Sequence, residues 1–237
     1  MKFLRFFFLS LLTMAFMTAG AQKLPSKYCP ELVSMARDGN TEAQYMLGRY
    51  LCYGTGGATQ NVEEGLDWLI KAGNLGNADA QCLLGIFYQE GYPAPKSASK
   101  AISWFQKAAL QGDATAQFKL GQIYYEGWGV KKNYTEALKW LRKSMDQGNE
   151  FARYYVGECY YYGRGVKLNY AEAARLWEIG ASRGEAWSME GLGRCYLNGR
   201  GVKKDYKKAV EYYRDSASLG FEDAYEALEA LGESLDF

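Results

Sequence analysis

The chain of 237 residues contains no histidine. That absence removes every Ser-His-Asp or Cys-His relay and every imidazole metal site. Acid–base chemistry by Glu, Asp, Lys or Tyr survives the exclusion, but without the commonest proton shuttle. A surplus of charge is lacking too, since 28 Lys and Arg stand against 27 Asp and Glu. A nucleic-acid binder needs a basic face that displaces counterions from phosphates, so the balance argues against nucleic acid as a partner. The 5 cysteines include no C-x-x-C pair, which leaves zinc without a ligand set. No metal, cofactor or catalytic residue is expected.

What the chain has in quantity is aromatic surface, with 20 Tyr, 11 Phe and 6 Trp. That is ample material for a core and excludes wholesale disorder. At the N-terminus, Lys2 and Arg5 precede a short apolar run, Phe6 to Met17, followed by Ala19-Gly20-Ala21. The pattern is that of a cleaved leader, and its apolar run is too short for a comfortable membrane span. The expectation is a signal peptide over 1–21 and an exported mature chain, periplasmic or secreted if the host is a bacterium, with no stable membrane insertion. No cysteine stands at the cleavage point, which disfavours a lipid anchor. Without Lys2 and Arg5 the balance is 26 basic against 27 acidic residues.

The sequence repeats itself. Leu-Gly recurs at Leu47-Gly48, Leu84-Gly85, Leu120-Gly121 and Leu192-Gly193, with Val156-Gly157 in the remaining slot; the spacing is 37 residues once and then 36. A small residue precedes each pair by four: Ala43, Ala80, Ala116, Ala152 and Ser188. A second series, Gly65, Ala101, Ala137, Ala173 and Ala209, is followed three residues later by Trp68, Trp104, Trp140, Leu176 and Tyr212. Small and apolar residues at i, i+4 and i+8 make one face of a helix. Asn133 and Asn169 each stand three before a Glu, as in a capping box, and Gly148 suits the left-handed position that ends a helix. Each unit therefore reads as helix A, a Gly-rich turn, helix B and a closing Gly turn. A lone hairpin cannot bury both its apolar faces, whereas stacked neighbours can.

Taken together, A-x3-L-G-x2-Y-x2-G-x-G-V, then A-x2-W, then A-A-x2-G resembles the Sel-1-like repeat, a relative of the tetratricopeptide repeat. Residues 116–148 and 152–184 match it most fully. The second unit departs from it, with GYPAPKSASK where Gly-x-Gly-Val is expected. The resemblance implies an all-α, right-handed α-solenoid of stacked antiparallel helix pairs that mediates protein–protein contacts, and many bacterial members are exported. The expected organisation is a linker and capping helix over 22–40, five repeats over 41–220, and a polar capping helix over 221–237.

In such arrays helix A lines the concave face. Helical geometry then points Tyr45, Arg49, Phe118, Gln122, Tyr125, Tyr154, Glu158, Tyr161 and Arg194 toward a groove, with Phe151 and Trp187 flanking it. Tyr and Arg are typical interface anchors, and the expected partner is an unidentified protein or peptide. The bland alternative is that these rings pack between units.

Three other motifs have quieter readings. Gly180-Ala-Ser182-Arg-Gly184 matches a nucleophile elbow, which needs a strand, a turn and a histidine. Ser97-Ala-Ser-Lys100 matches the serine–lysine pair of penicillin-recognising enzymes. The alternative function it opens is a periplasmic enzyme or binder with a β-lactam or peptidoglycan ligand, but Ser97 also stands at an N-cap position. Cys159 and Cys195 occupy one slot of consecutive units, about 8–10 Å apart, beyond disulfide reach, and read as buried thiols. Cys29 and Cys52 would face each other across the turn near Gly39, and the sequence leaves both a disulfide and two free thiols open.

Overall fold

Residues 23–234 are described in a computed structural model of the chain; the leader expected over 1–21 lies outside them. Among the described residues every regular element is a helix. In chain order they are α1 (Pro30–Arg37), α2 (Thr41–Tyr53), α3 (Val62–Asn74), α4 (Ala78–Glu90), α5 (Ala98–Leu110), α6 (Ala114–Glu126), α7 (Tyr134–Asp146), α8 (Glu150–Tyr162), α9 (Tyr170–Ala181), α10 (Ala186–Asn198), α11 (Tyr206–Ser218) and α12 (Glu222–Ala230). None is long and apolar enough to cross a membrane. The chain divides into two compact parts, residues 1–68 and 69–237, and the division falls within α3.

In the first part, Leu32, Met35 and Ala36 of α1 pack with Ala43, Leu47 and Leu51 of α2. Gln44 fastens the pair, its Nε2 donating to Ala36 O at 3.0 Å. The disulfide left open by the sequence is not formed, and Cys29 and Cys52 are free thiols. Cys29 is the N-cap of α1, outside its first turn. The Cys52 sulfur turns the other way, to α3: it lies 3.9 Å from Val62 O, and a Cβ added to Gly65 would meet it at 2.6 Å. Burial pushes the Cys52 thiol up to about 11.

The second part repeats one design. Asn77, Asp113 and Asn149 cap A helices α4, α6 and α8 by accepting from Ala80 N, Ala116 N and Ala152 N at 2.6–2.9 Å. A left-handed glycine, such as Gly127 or Gly163, ends each A helix. Asn133, Asn169 and Asp205 then cap B helices α7, α9 and α11, each at 3.1 Å. The divergent turn of the second repeat contains a cis Tyr92–Pro93 peptide. It still closes on the same backbone bond, Ser97 N to Tyr88 O at 2.8 Å, as Asn133 N to Tyr124 O does at 2.8 Å.

In this part consecutive helices from α4 to α12 pack against one another, and A helices α4, α6, α8 and α10 also touch along their own layer. The A layer is therefore the tighter, inner one of this part. Ala224 and Leu228 of α12 are fully buried against α11, while Glu229 is exposed, as a polar cap requires.

The turns lean on their neighbours. Gly165 has φ +71°, and a Cβ there would run into the Tyr134 carbonyl. Gly148 has φ +89° but open space around it. Gly148→Ala is expected to cost about 1–2 kcal/mol, the left-handed strain alone. Gly165→Ala adds a backbone clash and should lower the melting temperature further; equal shifts in the two variants would refute the close approach.

The cysteine and motif expectations resolve simply. Cys159 and Cys195 are fully buried, and burial pushes both thiols up to about 12. Ser97 Oγ accepts from Lys100 N at 3.5 Å as a helix cap, while the Lys100 ammonium lies 5.1 Å from the Tyr88 ring centroid. Ser182 ends α9 and donates to Ile179 O at 2.8 Å. Neither serine stands in a strand-to-helix turn.

Candidate recognition face

The geometry of the A face is set by what lies beneath it. After the small residue of α4, α6 and α8 comes a buried polar anchor. Gln81 Nε2 donates to Gly73 O at 2.8 Å, and Gln117 Nε2 to Ala109 O at 3.1 Å. Their Oε1 atoms accept from Gln111 and Gln147 at 2.8 and 2.9 Å. In the fourth repeat the slot holds Arg153, and the acceptor is Glu185; each side chain is only 6% exposed. Glu185 stands at the N-cap of α10 yet makes no cap bond. Its Oε1 accepts from Arg153 and its Oε2 from Ser188 Oγ at 2.9 Å. A side chain at Gly180 would occupy the space of Ser188 and Glu185.

Trp177 of α9 is the second support. It is fully buried, where the other B helices of this part carry Leu69, Phe105, Leu141 and Tyr213 in the equivalent slot. A Cβ at Gly157 or Gly191 would strike the indole. Gly191 stands where neighbouring A helices have Leu83, Lys119 and Tyr155, so α10 gives up a side chain to admit the larger ring. The indole Nε1 donates to Tyr154 O at 3.3 Å. Trp177 thus ties α9 to α8 and fills the space under α10.

Above these supports the open side of α6, α8 and α10 carries a continuous aromatic stripe. Ring centroids of Phe118 and Phe151 are 5.9 Å apart, those of Phe151 and Trp187 5.9 Å, and those of Trp187 and Phe221 4.4 Å. Tyr154 meets Trp187 at 5.5 Å, and Tyr155 stands edge-on to Tyr125 at 5.1 Å. Such edge-to-face pairs hold rings rigidly. Phe151 remains 39% and Trp187 38% exposed.

Beside the stripe runs a charged row. Arg194 Nη2 donates to Glu158 Oε1 at 2.5 Å and to Glu190 Oε2 at 3.4 Å, and its Nη1 donates to Tyr162 OH at 2.8 Å. Gln122 Nε2 donates to Glu126 Oε1 at 2.9 Å and to Tyr155 OH at 3.3 Å. The Tyr125 hydroxyl accepts from Arg164. Burial, with Glu158 adding, lifts Tyr125 and Tyr154 above the ordinary phenol range, so both rings present neutral hydroxyls.

Burial also pushes Glu190 up to about 7; Arg194 pulls against this, while Glu158 and Asp223 add to it. A carboxyl whose folded pKa exceeds its unfolded one stabilises the fold below about pH 4.5, and that contribution is lost as pH rises through about 7. Glu190→Gln is therefore expected to melt above the wild type at pH 8, with the gap closing toward pH 4.5. A variant melting lower at pH 8 would show that Arg194 outweighs burial.

Of the residues that the sequence points to the groove, Phe118, Gln122, Tyr125, Phe151, Tyr154, Glu158, Trp187 and Arg194 come together on this face. Tyr161 does not. It is 2% exposed, its ring packed against Tyr170 and Trp177 at 5.1 and 5.5 Å. Its hydroxyl accepts from Arg200 at 3.1 Å; it is a core residue. Tyr45 and Arg49 belong to the first part, where Arg49 Nη1 donates to Tyr45 OH at 3.3 Å. Tyr155 and Phe221 were missed as candidates. Tyr155 had a readable signal, because Phe151, Tyr154, Tyr155 and Glu158 stand at i, i+3, i+4 and i+7 of one helix.

Stacked antiparallel helix pairs define a helical repeat protein. The sequence matches the Sel1 repeat model over residues 41–77, 78–113, 114–149, 151–185 and 188–221, and the chain belongs to the Sel1 repeat family, whose members are in general protein-interaction scaffolds. It is similar to c5321, a protective antigen present in uropathogenic Escherichia coli strains displaying an SLR fold. That match has 30% identity and a TM-score of 0.74, over 86% of this chain and 45% of the other. It is also similar to a Sel1 repeat protein from Oxalobacter formigenes, at 30% identity and a TM-score of 0.75, over 84% of this chain and 85% of that one. The chain thus spans less than half of the first relative and most of the second. No curated protein matches.

Proposed function

We propose that the chain is an exported, non-enzymatic scaffold that holds another protein, or an extended peptide, on the A face of α6, α8 and α10. The observation that carries this reading is the stripe from Phe118 to Phe221. Its rings are already fixed against one another, so a partner would lose little side-chain entropy in using them. Yet Phe151 and Trp187 each leave more than a third of their surface open. Rigid aromatics with polar neighbours are the composition of interface hot spots. Export is supported by the leader pattern alone. A cell-wall enzyme gains no support at Ser97, which serves as a helix cap.

The test is a pull-down from envelope extract with the mature chain and with Phe151→Ala/Trp187→Ala. The double variant is expected to lose captured partner by at least about tenfold while its melting temperature stays close to that of the wild type. Undiminished capture would move the binding site off this face.

A further inference from the structure

Around Glu190 on α10, three carboxylates face two guanidiniums: Glu158 comes from α8 and Asp223 from α12, with Arg194 on α10 itself and Arg164 acting on Glu158. Arg194 is held closely by Glu158, at 2.5 Å, and only loosely by Glu190, at 3.4 Å. The Glu190 Oε1 accepts no hydrogen bond from the described residues and stays open to water. Trp187 and Glu190 lie three residues apart on one side of α10, and Tyr154 faces Trp187 from α8 with centroids 5.5 Å apart. Aromatic rings beside surplus negative charge suit a cation, whose stem lies on the rings and whose head meets the carboxylate.

We propose that the segment held on this face is basic, with one Lys or Arg side chain lying along Trp187 and Tyr154 and pairing with Glu190. The inference rests on the A face being the recognition surface, and it names the partner's chemistry there. A neutral or acidic segment would leave the surplus carboxylates uncompensated as water is expelled. A basic head takes the place of water at the Glu190 Oε1. The groups facing Glu190 are Tyr154 and Glu158 from α8, Arg194 and Cys195 from α10, Tyr213 from α11 and Asp223 from α12. In the free protein Glu190 titrates near 7, and a bound cation favours its ionised form. Binding then releases a proton, and affinity rises with pH between 6 and 8, by at most about tenfold per unit.

The test is selection of a random twelve-residue phage-displayed peptide library on the full mature chain at pH 8. Phe151→Ala/Trp187→Ala serves as counter-selection, and the winners are measured by fluorescence anisotropy as synthetic peptides. The expected result is enrichment of Lys or Arg beside apolar residues and tighter binding at pH 8 than at pH 6. Glu190→Gln should lose tenfold or more. Replacing the peptide's basic residue by Gln should give a similar loss, and the two losses should not add. Face-dependent peptides without a basic residue, or with affinity indifferent to Glu190→Gln, would overturn the basic-segment inference while leaving the recognition face standing. A library yielding no face-dependent peptide would overturn both.

Discussion

Glu185→Ala is expected to destabilise the fold by about 3–5 kcal/mol, because it strands a buried guanidinium. Arg153 and Glu185 bind each other where each side chain is only 6% exposed, and Arg153 has no route to water that keeps α8 in place. The same mutation frees Ser188 Oγ, whose acceptor at 2.9 Å is the other oxygen of Glu185. Arg153→Ala should cost a comparable amount for the mirror-image reason, a buried carboxylate without its cation. The other repeats hold the remedy. Gln81 and Gln117 solve the same packing problem with neutral amides that donate to backbone carbonyls at 2.8 and 3.1 Å. Asn77 and Asp113 meanwhile serve as ordinary caps for α4 and α6. Arg153→Gln/Glu185→Asn restores that pattern, and it should recover most of the stability lost by either alanine variant. Replacing a buried ion pair as a unit is often neutral or favourable. Denaturant unfolding of the wild type, the two alanine variants and the double variant makes the comparison. A double variant as unstable as the single ones would mean that the ion pair does something the amide arrangement cannot.

Trp177→Ala carries the second large effect, about 3–5 kcal/mol. The indole is fully buried, and Gly157 and Gly191 lack side chains where a Cβ would strike it. Truncation leaves a cavity that α8 and α10 cannot fill, since neither glycine supplies atoms. Trp177→Leu, with the residue that α7 carries at Leu141, should lose less than the alanine variant. Adding Gly191→Leu should improve it, because the repeat places Leu83 of α4 and Leu69 of α3 in these same two slots. Gly191→Leu alone, against the intact indole, should be among the worst variants of the array. Thermal melts of the four variants order these costs. Gly191→Leu tolerated beside Trp177 would contradict the paired exchange of side-chain volume.

The helices were legible because each boundary is written in local chemistry. Asn133 and Asn169 cap the B helices where their spacing from Glu136 and Glu172 places them. Gly148 takes its left-handed conformation where the period puts it. Even the aberrant turn of the second repeat follows the design, because the Ser97 N to Tyr88 O bond depends on backbone position rather than on side chains.

The face was legible only in part, since exposure depends on what the next helix contributes. Tyr125 and Tyr161 share a slot, yet Tyr125 stays half-buried while Tyr161 is 2% exposed. Behind Tyr161 stands Trp177, at 5.5 Å, where the preceding repeat has Leu141. Helical spacing alone cannot distinguish the two tyrosines. Arg153 and Glu185 were invisible for a related reason. Thirty-two residues separate them, and each alone looks like an ordinary surface charge. Their common signal is that both leave the repeat pattern at the same junction, Gln becoming Arg and Asn or Asp becoming Glu.

Recognition through the A face is the central claim, and site-specific photocrosslinking tests it most directly. A benzophenone side chain placed at Phe151 or Trp187 is expected to crosslink the retained partner. One placed at Lys107 or Lys143, on exposed positions of B helices α5 and α7, is expected to give none. Crosslinks from the B helices without any from Phe151 and Trp187 would contradict the account.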